Sequence, residues 1–221
     1  MTDGAGPEQW QAVDDLLDHL LLADDPALSA ALADSSAAGL PPIEVSAQSG
    51  RLLSLLTRIS GARRVLEIGT LGGYSTICLA RAVGPTGSVV TLEYNPRHAE
   101  VASANLQRAG VADRVDILVG PALETLPGLA GTFDLVFIDA DKENNSAYLT
   151  WAVRLARPGT VIVVDNVVRA GRIVAPAPDD GQGRAVRDML ELMGSDERLE
   201  AAALQTVGAK GWDGLAIARV R

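Results

Sequence analysis

Three oxygen-bearing side chains close two short apolar runs. Asp139 follows Phe133-Asp134-Leu135-Val136-Phe137-Ile138, and Asp165-Asn166 follows Val161-Ile162-Val163-Val164. Two carboxylates and an amide oxygen make a hard, all-oxygen donor set. Such a set suits magnesium or another hard divalent cation such as Mn2+ or Ca2+, with water or substrate completing the shell. Neither histidine, His19 nor His98, falls at a run's end, which disfavours zinc. Taken singly, Asp139 and Asp165 could be helix caps or polar strand ends. Lys142 lies just beyond Asp139 and is one of only two lysines, Lys210 being the other.

Other run ends suggest ligand contacts of a different kind. Glu67-Ile68-Gly69-Thr70-Leu71-Gly72-Gly73-Tyr74-Ser75 is rich in glycine. Its backbone can come close to a ligand, and the helix start after it offers free N–H groups. A Gly-x-Gly-x-x-Gly dinucleotide fingerprint fails here. Counted from Gly69, the second and third glycine positions are Leu71 and Tyr74. Glu93 ends the next run, and a carboxylate there can accept both hydroxyls of a ribose. Dehydrogenases use the same device, so Glu93 does not discriminate between cofactors. Gly120-Pro121-Ala122 could border an adenine.

The elements that must position these residues are legible in the periodicity. Apolar runs at 65–68, 89–93, 115–119, 133–139 and 161–165 read as buried parallel strands. Between them, 74–83, 96–109, 121–129 and 145–156 have helical patterning. Strand and helix alternate, which predicts a βαβ array. A helix near 183–194 is followed by Leu199–Val207 and Asp213–Val220, expected as an antiparallel hairpin on the sheet edge. Ahead of the array, residues 7–33 and 47–60 read as helices, broken by Gly39-Leu40-Pro41-Pro42. The expected fold is α/β. It is a single Rossmann-like, doubly wound sheet, mostly parallel, with a helical cap over 1–60 and the α/β core over 61–221. In such sheets ligands bind at the C-terminal strand ends, near the switch in strand order.

Composition narrows the function classes. The chain has 221 residues, with Lys+Arg 19 against Asp+Glu 28 and a net charge of -9. An acidic protein gains nothing from its charge when binding phosphate backbones or anionic lipid, so nucleic acid and membrane are disfavoured. The single cysteine, Cys78, excludes an intramolecular disulfide and reads as a small buried hydrophobe. Met1–Glu8 lacks a basic-then-apolar signal pattern, and no apolar run approaches the length of a membrane span, so a cytoplasmic location is expected.

Val65-Leu66-Glu67-Ile68-Gly69-Thr70, Phe137-Ile138-Asp139-Ala140-Asp141-Lys142 and Val163-Val164-Asp165-Asn166 together resemble the cation-dependent O-methyltransferases. These are class I S-adenosylmethionine enzymes that include the caffeoyl-CoA and catechol O-methyltransferases and small bacterial members. The resemblance runs from about residue 40 to the C-terminus. It implies Asp139, Asp165 and Asn166 as metal ligands, with Asp139 and Lys142 in the catalytic group and Lys142 as the base. It implies S-adenosylmethionine at Val45, Glu67, Gly69, Thr70, Ser75, Glu93, Ala122 and Asp139, a catechol-like phenolic acceptor, and a homodimer with the N-terminal helices in contact. In general, burial and a neighbouring cation favour the neutral, proton-accepting form of an amine.

Two departures are visible. Asp141 stands where the animal enzyme has a tryptophan beside the catechol, and Ile43-Glu44 where plant members often carry Met-Gln. Tyr148, Trp151 and Trp212 could pack near the acceptor or fill the core. Arg169 and Arg172 could meet an anionic acceptor or lie on a solvated loop. Two alternatives stay open at this point. One is methylation of a hydroxylated uridine in tRNA; the other is a non-catalytic module binding adenosine ligands or dinucleotides.

Overall fold

The computed structural model describes residues 6–221, so the part of the signal reading that rests on residues 1–5 lies outside the described residues. Three helices precede the sheet: α1 (Pro7–Leu21), α2 (Pro26–Ala37) and α3 (Ala47–Ile59). Side chains cap two of them. Asp25 accepts from the Ala27 and Leu28 amides at 3.2 Å, and Ser46 accepts from the Ser49 amide at 3.1 Å.

Strands β1 (Arg64–Ile68), β2 (Ser88–Glu93), β3 (Val115–Val119), β4 (Phe133–Ile138) and β5 (Ala156–Asp165) run parallel. The final pair, β6 (Leu199–Gly208) and β7 (Gly211–Val220), is antiparallel, and β7 joins the edge of β5. Strand order is β3-β2-β1-β4-β5-β7-β6. The expected mostly parallel sheet with its C-terminal hairpin is therefore present. Helices α4 (Tyr74–Ala82), α5 (Pro96–Arg108), α6 (Ala122–Thr125), α7 (Asn145–Arg154) and α8 (Gly181–Ser195) complete the chain.

The central strands bury both faces. On β4, Val136 and Ile138 enter one core with Leu149 and Met189, while Leu135 and Phe137 enter the other with Ile77, Leu79 and Leu106. This alternation follows from the two-residue period of a strand, and two apolar faces need helices on both sides. Cys78 packs in the second core, where burial pushes its thiol up to about 12, as expected for a structural cysteine.

Two elements differ from expectation. The stretch 121–129 holds only the four-residue α6 and a 3-10 turn, because Pro127 lacks the N–H that a longer helix needs. Strand β5 begins at Ala156, before Pro158-Gly159. Its register with β4 shifts between Phe133 and Leu135, and Thr160 Oγ1 spans the irregularity by donating to the Phe133 carbonyl at 2.7 Å.

Candidate active site

The strand order reverses between β1 and β4, the two neighbours at the sheet's centre. Ladder bonds continue past the strand ends and hold the exits level. The Asp139 amide donates to Ile68 O at 2.9 Å, and the Gly69 amide donates to Leu92 O at 3.0 Å. Gly69 has φ +104, and a Cβ there would lie 2.1 Å from the Asp139 carbonyl oxygen. Only glycine lets the β1 exit approach Asp139 this closely.

A cleft of about 900 Å³ opens at these exits. Val45, Gly69, Thr70, Ser75, Glu93, Ala122, Asp139, Lys142 and Asn166 all line it. The sheet thus brings to one wall residues that lie far apart in the chain. Glu67 and Asp165 do not line the cleft.

Glu67 is fully buried and accepts from the hydroxyls of Ser75 (2.6 Å), Thr76 (2.5 Å) and Thr91 (2.7 Å). Its link to the cleft therefore runs through Ser75. Burial pushes its carboxyl up to about 7, against the lowering effect of the three hydroxyls. A raised carboxyl is favoured protonated in the folded state. Its stabilisation is whole below the ordinary carboxyl range near 4.5 and is lost as pH rises through about 7. Melting temperature should fall over that window, and Glu67→Gln should flatten the fall. Thermal melts of both proteins from pH 4.5 to 8 check this; equal slopes would contradict it.

Glu93 organises the glycine-rich loop. One oxygen accepts from the Thr70 amide (3.2 Å) and the Leu71 amide (2.8 Å), and the other from the Asn95 amide (2.9 Å). His98 Nδ1 lies 3.3 Å from the same carboxylate. Leu71, Tyr94 and His98 also line the cleft. Their spacing carries no motif, so only the folded exit of β2 reveals them.

On the β4 side, Lys142 is 7% exposed and its Nζ donates to Asp139 Oδ1 at 2.8 Å. Tyr148 packs in the first core and also lines the cleft, and it donates its hydroxyl to Asp141 Oδ1 at 2.5 Å. Asp165 is pushed up to about 7, first by burial and then by the negative charge of Asp139. Asn166 adopts φ +59, a left-handed conformation that asparagine tolerates better than most residues. Among the described residues its side-chain amide has no hydrogen-bond partner in the protein, and no three His, Cys, Asp or Glu side chains converge on a metal site. The candidate set is instead two carboxylates and one amide, all oxygen donors. Two neighbouring carboxylates and an amide oxygen, with the Asp165 carboxylate raised by burial and by the charge of Asp139, fit a hard divalent cation.

Lys210 is exposed in the β6–β7 turn, and its Nζ donates to Glu44 Oε1 at 2.7 Å and Pro42 O at 3.2 Å, tying that turn to the segment that carries Val45. Arg172 pairs with Asp180 at 3.1 Å.

A doubly wound sheet with a glycine-rich β1 exit and an acid closing β2 defines the class of α/β proteins that bind an adenosine-containing cofactor at the switch point. A family model described as O-methyltransferase matches residues 23–220. The catechol O-methyltransferase of Mycobacterium tuberculosis is 66% identical over 210 residues, covering 95% of each chain. That of Niastella koreensis is 43% identical over 216 residues, covering 96% of this chain and 98% of its own. Among solved structures, the O-methyltransferase from Bacillus cereus in complex with SAH superposes with a TM-score of 0.96 at 46% identity, covering 98% of this chain and 100% of that one. The Streptomyces achromogenes O-methyltransferase involved in tomaymycin synthesis, in complex with SAM, gives 0.94 at 45% identity over 98% and 99%. The chain belongs to the O-methyltransferase family. It is an S-adenosylmethionine-dependent O-methyltransferase.

Proposed function

We propose that this enzyme methylates one hydroxyl of a vicinal pair on a small phenolic molecule, catechol being the simplest, and that it uses a hard divalent cation. The observation that carries this reading is the Lys142–Asp139 contact on the same cleft wall as Asn166, with Asp165 near enough to feel the charge of Asp139. Asp139, Asp165 and Asn166 would hold the cation. When bound, it would supply positive charge beside the acceptor hydroxyls and favour their ionised form. Adjacent oxygens on one ring suit such a site because both can face a single cation.

The chain's own residues do the rest. Asp139 orients the Lys142 amine, and Lys142 Nζ, in its neutral form, takes the proton from the acceptor hydroxyl. S-adenosylmethionine supplies a methyl group on a sulfonium, and the deprotonated oxygen forms its new C–O bond as the C–S bond breaks. Glu93 is assigned to the donor's ribose; its carboxylate spends three acceptor sites on backbone amides and still lines the cleft. Glu67 acts from beneath, by fixing Ser75. The apolar walls at Val45, Ile68, Leu92 and Ala122 exclude water from the reacting groups.

A homodimer and a cytoplasmic setting complete the proposal. Helix α1 has no buried residue and leaves Val13, Leu16, Leu20 and Leu21 more than half exposed, a stripe that a second copy would cover. The lone cysteine is buried, which suits a reducing compartment, and among the described residues no helix is long and apolar enough to cross a membrane.

The test is a methyl-transfer screen with magnesium over catechol, a caffeoyl thioester and tRNA, read by mass spectrometry. One added methyl group on catechol is expected. Methylation of tRNA alone, or of none of the three, would overturn the reading.

A further inference from the structure

The cleft wall beyond Asn166 carries a positive charge that the chemistry above does not use. Arg169 is the one arginine lining the cleft among the described residues. Its surroundings differ from those of nearby cations. Lys142 is paired with Asp139, and Arg172 with Asp180. Arg184 donates to the carbonyls of Ala177 and Pro178. Among the described residues no carboxylate pairs with Arg169. Its Nη2 donates to a neutral group, Gln182 Oε1, at 2.6 Å, and its Nε is buried without a partner. A half-buried guanidinium whose Nε is shielded without a partner, with only an amide for company, is incompletely compensated.

The backbone holds that guanidinium in place. Arg169 and Ala170 have φ +55 and +53, left-handed values that non-glycine residues adopt at a cost. Asp213 Oδ1 fixes the turn by accepting from the Val168 amide at 3.0 Å and the Arg169 amide at 2.9 Å. Gly171 sits so close to Trp212 that a Cβ there would lie 2.8 Å from the indole ring. The start of β7 therefore braces the loop, and the loop aims one uncompensated arginine at the cleft.

We propose that Arg169 determines specificity by receiving a carboxylate on the phenolic acceptor, so that the preferred acceptors are carboxylated catechols such as dihydroxybenzoates or dihydroxycinnamates. This rests on the catechol reading above. A carboxylate matches the guanidinium fork, which can give it two parallel N–H bonds. A coenzyme A thioester would bring several phosphate charges to a wall with one arginine, a poorer match.

The test uses the full chain with magnesium and S-adenosylhomocysteine. Calorimetry measures the dissociation constants of 3,4-dihydroxybenzoate and of its neutral methyl ester. The wild type should bind the acid tighter by about 10- to 100-fold, the range expected for hydrogen bonds to a charged group. Arg169→Met should bring the ratio near one. Should that variant not fold by circular dichroism, Arg169→Lys is read instead, because it keeps the charge and loses the fork; a several-fold drop in the ratio is expected. Equal binding of acid and ester by the wild type, or an unchanged ratio in the folded variant, overturns the assignment. Methylation assays with S-adenosylmethionine separate the two levels. If neither compound is methylated, the catechol reading itself fails; if both are methylated while binding equally, only the role of Arg169 falls.

Discussion

Lys142→Ala is expected to lower kcat for catechol methylation by about 10²–10⁴, with the dissociation constant for S-adenosylmethionine changed little. The size follows from the removal of a positioned proton acceptor. Lys142 is 7% exposed, so bulk water does not readily replace its amine, and its contact with Asp139 fixes where that amine points. A second effect acts in the same direction. Lys142 is among the groups that hold the Asp165 carboxyl down, against burial and the charge of Asp139. Without it, Asp165 ionises at still higher pH, and the candidate cation site loses charge near neutrality. Lys142→Arg separates the two effects, because arginine keeps the positive charge but does not release its proton. An arginine variant as slow as the alanine variant assigns the loss to proton transfer. Single-turnover rates and donor calorimetry make the measurement, and an unchanged rate in Lys142→Ala would remove Lys142 from the mechanism.

Much of the fold could be read from residue order because its central strands are buried on both faces. Val65-Leu66-Glu67-Ile68 and Val161-Ile162-Val163-Val164 are apolar runs bounded by breakers, and both lie in central strands. Boundaries were less legible where local signals compete with tertiary pairing. The apolar run of β5 starts only at Val161, yet the chain already pairs with β4 at Ala156. Pro127 cuts short a stretch with helical patterning.

The candidate site follows the same division. Residues at strand ends, such as Asp139, Asp165 and Glu93, could be singled out because a parallel sheet gathers its exits at one edge. Contacts made across the fold could not. The neutral partner of Arg169, Gln182, lies in α8, and the brace on its backbone, Asp213, lies in β7. Lys210 reaching Glu44, and Glu93 holding the loop after β1, join segments whose proximity no local pattern encodes. Separation along the chain is the common reason, since side-chain pairing between distant elements depends on their packing.

Removal of divalent cation is the other change expected to have a large effect. Burial, and after it the negative charge of Asp139, raises the Asp165 carboxyl, so a charged Asp165 beside Asp139 is held at a cost. A divalent cation bound there would offset that cost, and the side-chain amide of Asn166 would supply a third oxygen. Positive charge beside the acceptor hydroxyls favours their ionised form, and several kcal/mol of such stabilisation corresponds to about 10²–10³ in rate. The cation should also raise the melting temperature in proportion to its binding, because the unfolded chain has no such site. The most direct measurement is catechol methylation by the full chain with S-adenosylmethionine, after excess EDTA and again after magnesium is restored. Turnover that disappears with the chelator and returns with magnesium is the predicted result; full turnover in excess chelator would contradict it.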